Sequence, residues 1–128
     1  MKVISASRLN VASSATGNRN RSGVIDEERR GQVVCISRPD KKRPVLILTR
    51  DSALEFLGEV TVAPIRTTIR DIPSEVLLTK SDGMPRDCAV NLDHLQTVSK
   101  GKIGSLIATL ISSKMQQMRP RLLFALGF

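Results

Sequence analysis

Short apolar runs separated by polar breaks make up most of the chain, and only the last segment has a helical period. Gln32 to Ser37 (QVVCIS) predicts a first strand, closed by the turn Arg38-Pro39-Asp40-Lys41-Lys42. Pro44 to Thr49 (PVLILT) predicts a second strand. It is apolar almost throughout and is therefore expected at the centre of a sheet. Asp51 and Ser52 can cap one helical turn over Ala53 to Leu57, ended by Gly58. Glu59 to Ile65 (EVTVAPI) alternates, and Pro64 marks it as an edge strand. Arg66 to Ile72 is a polar loop, Pro73 opens a fourth strand over Ser74 to Thr79, and Ser81-Asp82-Gly83 is a turn. Cys88 to Leu92 and Leu95 to Val98 predict a hairpin around Asp93-His94. Ser99-Lys100-Gly101 is a further loop, and Ile103 to Ala108 is ambiguous in its period.

In the final segment Met115, Met118, Leu122 and Leu126 share one helical face. Ser112 or Ser113 can cap that helix and Gly127 can end it, while Pro120 predicts a kink or break near Arg119. Several short strands and one terminal helix predict a small, strongly bent sheet or barrel. Residues 1–27 differ: Ser13 to Gly23 has no apolar side chain larger than Ala. Nothing there offsets the entropy of ordering it. A flexible extension over 1–27 followed by a folded domain over 28–128 is the expected organisation.

Composition narrows the function. A chain of 128 residues with 41% hydrophobic side chains supports one modest core. Its 20 Lys and Arg against 12 Asp and Glu leave a net charge of +8, which suggests a polyanionic partner. Residues 94 to 128 contain Lys100, Lys102, Lys114, Arg119 and Arg121 and no acidic residue. Two Cys and one His exclude an all-Cys/His zinc site and a disulfide framework. Cys35 and Cys88 read as reduced core residues of a cytoplasmic protein. Three Phe with no Tyr or Trp argue against a row of stacking aromatics. The basic N-terminus has no apolar signal core, and runs such as Val45 to Leu48 are far shorter than a membrane span. No Gly-rich phosphate loop, metal-ligand cluster or Ser-His-Asp spacing is present, so no metal or cofactor is expected.

The chemistry-bearing groups stand at strand ends. Lys41-Lys42-Arg43 precedes the second strand, Arg66-Thr67-Thr68 with Arg70 follows the third, and Asp93-His94 separates two others. If these strands are neighbours, guanidinium forks and hydroxyls could share a cleft and cradle a phosphodiester. Taken singly, each is equally a solvated strand end or a turn residue. Met115 and Met118 read as core packing.

The order of the segments resembles the MazF/PemK/Kid toxins of bacterial toxin–antitoxin pairs. The matching residues are Arg29-Arg30-Gly31-Gln32-Val33, Arg43-Pro44-Val45-Leu46 with Leu48, Val62-Ala63-Pro64-Ile65 and Ile72-Pro73-Ser74-Glu75-Val76. Further along come Arg86-Asp87-Cys88-Ala89-Val90-Asn91-Leu92-Asp93, Gln96-Thr97-Val98 and Phe124-Ala125-Leu126-Gly127. The resemblance implies a mainly β, SH3-like barrel of the CcdB/PemK/Kid type with a C-terminal helix, forming a homodimer. It implies a metal-independent endoribonuclease that cuts single-stranded RNA at short sequences. The ribose 2′-OH would attack the adjacent phosphate and leave a 2′,3′-cyclic phosphate and a 5′-OH end. The implied partner is an acidic, MazE-like antitoxin whose tail lies in the RNA groove.

By the same resemblance Arg43 matches the family's catalytic arginine, suited to stabilising transition-state charge. The family's catalytic threonine position is held here by Arg66, so the hydroxyl role passes to Thr67 or Thr68. Asp93 matches an acidic position that some members use, and His94 replaces the usual Gln or Asn. The expected catalytic set is Arg43, Thr67 and Asp93, with Lys41, Lys42, Arg66, Thr68, Arg70 and His94 on RNA. Two alternatives stand beside it. One is a catalytically weak RNA-binding or antitoxin-binding relative, motivated by Arg66. The other is a CcdB-like gyrase poison, which the absence of Trp and the ending Leu126-Gly127-Phe128 oppose.

Overall fold

The computed structural model describes residues 28–38 and 41–128; the expected extension over 1–27 lies outside them. Seven strands and two α-helices follow in order, with short 3-10 turns at Lys80–Asp82 and Lys100–Lys102: β1 Gln32–Ser37, β2 Lys42–Ile47, α1 Asp51–Leu54, β3 Glu59–Arg66, β4 Glu75–Leu78, β5 Cys88–Asn91, β6 Gln96–Ser99, β7 Ile103–Thr109 and α2 Ser112–Leu126. All pairings are antiparallel, in the order β4-β5-β3-β2-β1-β7, with β6 added beside β3.

β1 and β2 are buried on both faces. Val33 and Leu46 face one apolar cluster with Ile65, Val76, Leu78, Val90, Leu92 and Met118. Val34, Ile36, Val45 and Ile47 face a second with Leu54, Val60 and Val62. A strand covered on both sides has no reason to alternate, which accounts for the near-continuous apolar run in β2.

β3 divides its pairing. Along one side, Val62 to Pro64 pair with β2. On the other side Glu59 to Val62 pair with β6, and then Ile65 and Arg66 pair with β5. The chain therefore passes from one sheet region into another within a single strand and bends the sheet over its own core. Two expectations are corrected by this. β3 is an interior strand, not an edge, and Pro64 sits in the interval where β3 changes partner, a position that tolerates a residue with no ladder N–H. Likewise β5 and β6 are not a hairpin, because both pair with β3 and Asp93-His94 spans the crossover between them.

The ambiguous segment is strand β7, which pairs with β1 through two register shifts. The motif Arg29-Arg30-Gly31 fixes the entry to β1. Arg30 donates from its backbone N–H to Asp51 Oδ1 at 2.7 Å and from Nε to the Leu48 carbonyl at 3.0 Å. Gly31 donates to the Ile47 carbonyl and accepts from Leu110 N–H, both at 2.9 Å. Its φ of +94° and the Met115 side chain 3.4 Å from any added Cβ explain the glycine.

α2 packs Met118, with Met115, Leu122 and Ala125 beside it, onto the first cluster. Ile111, not a serine, occupies the N-cap position and makes no side-chain cap. The break expected near Arg119 does not occur: the helix runs through Pro120. The carbonyl that loses its partner belongs to Gln116, and both residues lie on the solvent side, where water can serve that carbonyl. Leu126, expected on the buried face, is exposed. Gly127, at φ 86°, donates to the Phe124 carbonyl and Phe128 to Leu123 at 2.8 Å, a Schellman closure.

Cys35 and Cys88 are both free thiols, the first half-buried and the second buried. Burial raises the Cys88 pKa, and the carboxylates of Asp87 and Asp82 push it further in the same direction.

Two outcomes are expected from this packing. Leu46→Ala empties a site with 0% exposure and should cost about 2–5 kcal/mol in denaturant unfolding, whereas Leu77→Ala, at 48% exposure, should cost under about 1 kcal/mol. In the native protein iodoacetamide should label Cys35 well before Cys88. A raised thiol pKa also makes stability fall as pH climbs above the unfolded value of about 8.5, so Cys88→Ala should flatten the alkaline limb of Tm against pH.

Candidate RNA-binding cleft

Antiparallel pairing brings the ends of distant segments together. The register Val45 opposite Pro64 sets the start of β2 beside the end of β3. Arg66 opposite Ala89 brings the approach to β5 to the same place, and Val62 opposite Gln96 adds the start of β6. These ends surround an open cleft of about 990 Å³. Arg38 and Lys41 come from the β1–β2 connection, Lys42, Arg43, Pro44 and Val45 from β2, and Pro64, Ile65 and Arg66 from β3. Thr67 and Thr68 follow β3, Arg86 precedes β5, and Gln96 opens β6.

Among the described residues the lining holds six cationic side chains, Arg38, Lys41, Lys42, Arg43, Arg66 and Arg86, and no carboxylate. Its remaining polar groups are two hydroxyls and one amide. The Arg38 backbone N–H donates to the Lys41 carbonyl at 3.0 Å. The Arg38 guanidinium reaches across to the Gln96 carbonyl oxygen. Such a lining binds polyanions and disfavours cations, and its forks and hydroxyls suit phosphodiester oxygens.

Of the residues expected from the sequence, Arg43, Thr67, Lys41, Lys42, Arg66 and Thr68 share this cleft. Asp93, His94 and Arg70 are not among its lining residues. The Asp93 carboxylate accepts from Ser74 Oγ, and its backbone N–H donates to Asn91 Oδ1 at 2.9 Å. The Nδ2 of the fully buried Asn91 lies 2.9 Å from His94 Nδ1. These four residues tie the β5–β6 crossover to the start of β4. Arg70 donates from Nε to Glu75 at 3.1 Å and from its backbone N–H to the same carboxylate at 3.0 Å. Glu75 is buried, so its carboxylate needs that partner. Arg38, Arg86 and Gln96 were not expected. Arg86 and Gln96 each lie inside a matching motif, and Arg38 lies in the first turn, but only strand order shows that they converge. Among the described residues no three His, Cys, Asp or Glu side chains cluster as a metal site.

Comparison with known proteins bears on this arrangement. A family model for the PemK-like, MazF-like toxin of type II toxin–antitoxin systems matches residues 25–126. Endoribonuclease MazF3 of Mycobacterium tuberculosis is 39% identical over 92 residues, covering 72% of this chain and 85% of that protein. The probable endoribonuclease MazF5 of M. tuberculosis is 42% identical over 76 residues, covering 59% of this chain and 70% of its own. The solved M. tuberculosis toxin MazF-mt6 superposes with a TM-score of 0.69 at 34% identity, over 75% of this chain and 97% of that one. A mycobacterial endoribonuclease in complex with its cognate antitoxin superposes with a TM-score of 0.72 at 27% identity, over 79% and 96% of the two chains. The fold is accordingly the barrel of these toxins with its C-terminal helix, as the segment order implied.

Arg66→Ala removes one cation from the cleft. It should weaken binding of a single-stranded oligonucleotide and reduce the slope of log K against log salt by about 0.7, the amount expected for one lost phosphate contact. Arg70→Ala, outside the cleft, should leave that slope unchanged while lowering Tm through the unpaired Glu75. Equal slopes for wild type and Arg66→Ala in a salt titration would place Arg66 off the ligand.

Proposed function

The chain belongs to the PemK-like, MazF-like toxins of type II toxin–antitoxin systems, and on that premise we propose that it is an endoribonuclease that cuts single-stranded RNA at short sequences. The observation that carries the reading is the cleft in which Arg43 stands with Arg66, Thr67 and Thr68, its described lining holding six cations and no carboxylate. In the proposed reaction the 2′-oxygen bonds to phosphorus as its proton passes to solvent, the bond to the 5′-oxygen breaks, and the departing 5′-oxygen takes a proton from solvent. The products are a 2′,3′-cyclic phosphate and a 5′-OH. The pentacoordinate transition state carries more charge on its non-bridging oxygens than the diester does. Fixed guanidiniums therefore bind it more tightly than they bind substrate. Arg43 is assigned that role, Thr67 or Thr68 a hydroxyl contact, and Arg66, Lys41, Lys42 and Arg86 the flanking phosphates. Asp93, His94 and Arg70 are left out of the set because their polar groups serve the β4, β5 and β6 connections.

The same cleft fits the acidic tail of a cognate antitoxin, which would compete with RNA for the cations. A homodimer is proposed as the working form. The outer end of α2 leaves Leu123, Phe124, Leu126 and Phe128 exposed, the last at 91%, an apolar face that a second copy can cover. No helix among the described residues is long and apolar enough to cross a membrane. The proposed action on cellular RNA supports a cytoplasmic location. Family membership favours RNA cleavage over a gyrase-poison role.

Purified protein should cut single-stranded RNA in excess EDTA and leave cyclic phosphate and 5′-OH ends. Arg43→Ala should lower turnover by about 10²–10³-fold with a much smaller loss of RNA affinity. Arg66→Thr should retain or raise turnover. A requirement for added divalent metal, or 3′-OH products, would overturn the mechanism. A rise of several orders of magnitude from near zero in Arg66→Thr would make this chain a binding relative rather than a working nuclease.

A further inference from the structure

Among the described residues the cleft lining contains a single side-chain amide, Gln96, and its orientation is set by a neighbour. Gln96 opens β6, where pairing with Val62 of β3 fixes its backbone, and its side chain is half-buried. Its Oε1 accepts a hydrogen bond from Arg38 Nη2. Reversed, the amide would set its N–H groups against the guanidinium N–H groups, donor against donor, so Arg38 holds it in one sense. A glutamine free at both ends reads adenine with its carbonyl on N6–H and its amide on N7. With its carbonyl held on Arg38, Gln96 turns its two N–H donors the other way, and the remaining Arg38 N–H groups add more of the same kind. Donors therefore outnumber acceptors in this pair, and a single lone pair on Oε1 is all it offers the amino group of adenine.

We infer that Gln96, positioned by Arg38, forms a donor-rich base-reading subsite that selects an edge of neighbouring acceptors, guanine N7/O6 or cytosine N3/O2, over adenine. This rests on the RNA-cleaving reading above. Single-stranded RNA presents splayed bases whose edges are open to such contacts, and the cleft has no aromatic ring to select by stacking.

The test is sequencing of the 5′-OH ends made from a randomised single-stranded RNA pool by the full chain, by Arg38→Ala and by Gln96→Glu, each first checked for a wild-type melting transition. The readout is the base ratio at each position within one variant, which is independent of its overall rate. Wild type should disfavour adenine about tenfold at one position near the cut, the discrimination one good pair provides. In Arg38→Ala the amide can turn, and adenine at that same position should recover to within about twofold of guanine and cytosine, other positions staying as they were. In Gln96→Glu the carboxylate pairs with Arg38 and the amide donors are gone, so the guanine and cytosine preference at that position should disappear. Base profiles unchanged in both variants would overturn the inference alone, as would flattening at every position together, which marks a loosened cleft. A wild type that cuts no RNA would overturn the nuclease reading and this inference with it.

Discussion

One side of β3 is shared between two strands, and most of the molecule depends on that division. Its first half is hydrogen-bonded to β6 and its last two residues to β5, while β2 runs along the opposite side. A strand with two partners on one side cannot lie in a flat sheet. The bend folds the sheet over its core and separates two apolar clusters, one on each face of β1 and β2. It also gathers the starts of β2 and β6, the approach to β5 and the end of β3 around one opening. The cleft is therefore a product of strand pairing, and the apolar contacts that hold β3 in register also hold the cations in place.

The sequence was most legible where structure is local. The first strand has the bounds its pattern predicts, Gln32–Ser37. β2 begins two residues earlier than expected, because Lys42 and Arg43 pair through their backbones with Ser37 and Ile36 whatever their side chains prefer. Pro64 misled because the rule confining proline to edges concerns a missing N–H at one position, not the place of a whole strand in the sheet. The hairpin around Asp93-His94 misled for a related reason: two adjacent strands with a short connection pair with each other only if no third strand takes up their edges, and here β3 takes both along one side.

The same distinction divides the site. Lys41-Lys42-Arg43 and Arg66-Thr67-Thr68 are contiguous in sequence and were visible as clusters. Their meeting with Arg38, Arg86 and Gln96 is a matter of register that no single segment contains. Arg70 looks like a member of the basic cluster beside it. Its guanidinium is instead committed to Glu75, a buried carboxylate that no pattern marked as buried. Asp93 was assigned a chemical task by resemblance, and the structure gives its carboxylate a partner in Ser74, through which it helps anchor the crossover.

Six like charges around one opening carry a thermodynamic consequence for the empty protein. Each fixed cation raises the electrostatic free energy of its neighbours, so the ligand-free fold is less stable than one with a neutral cleft, and least stable where salt is low and screening weak. Any polyanion that enters relieves that repulsion and binds the native chain far better than the unfolded one, in which the charges are dispersed. Occupancy and folding are thereby coupled: the toxin is held folded most firmly while its cleft is filled, and release of its occupant frees the site and lowers the stability of the fold in the same event.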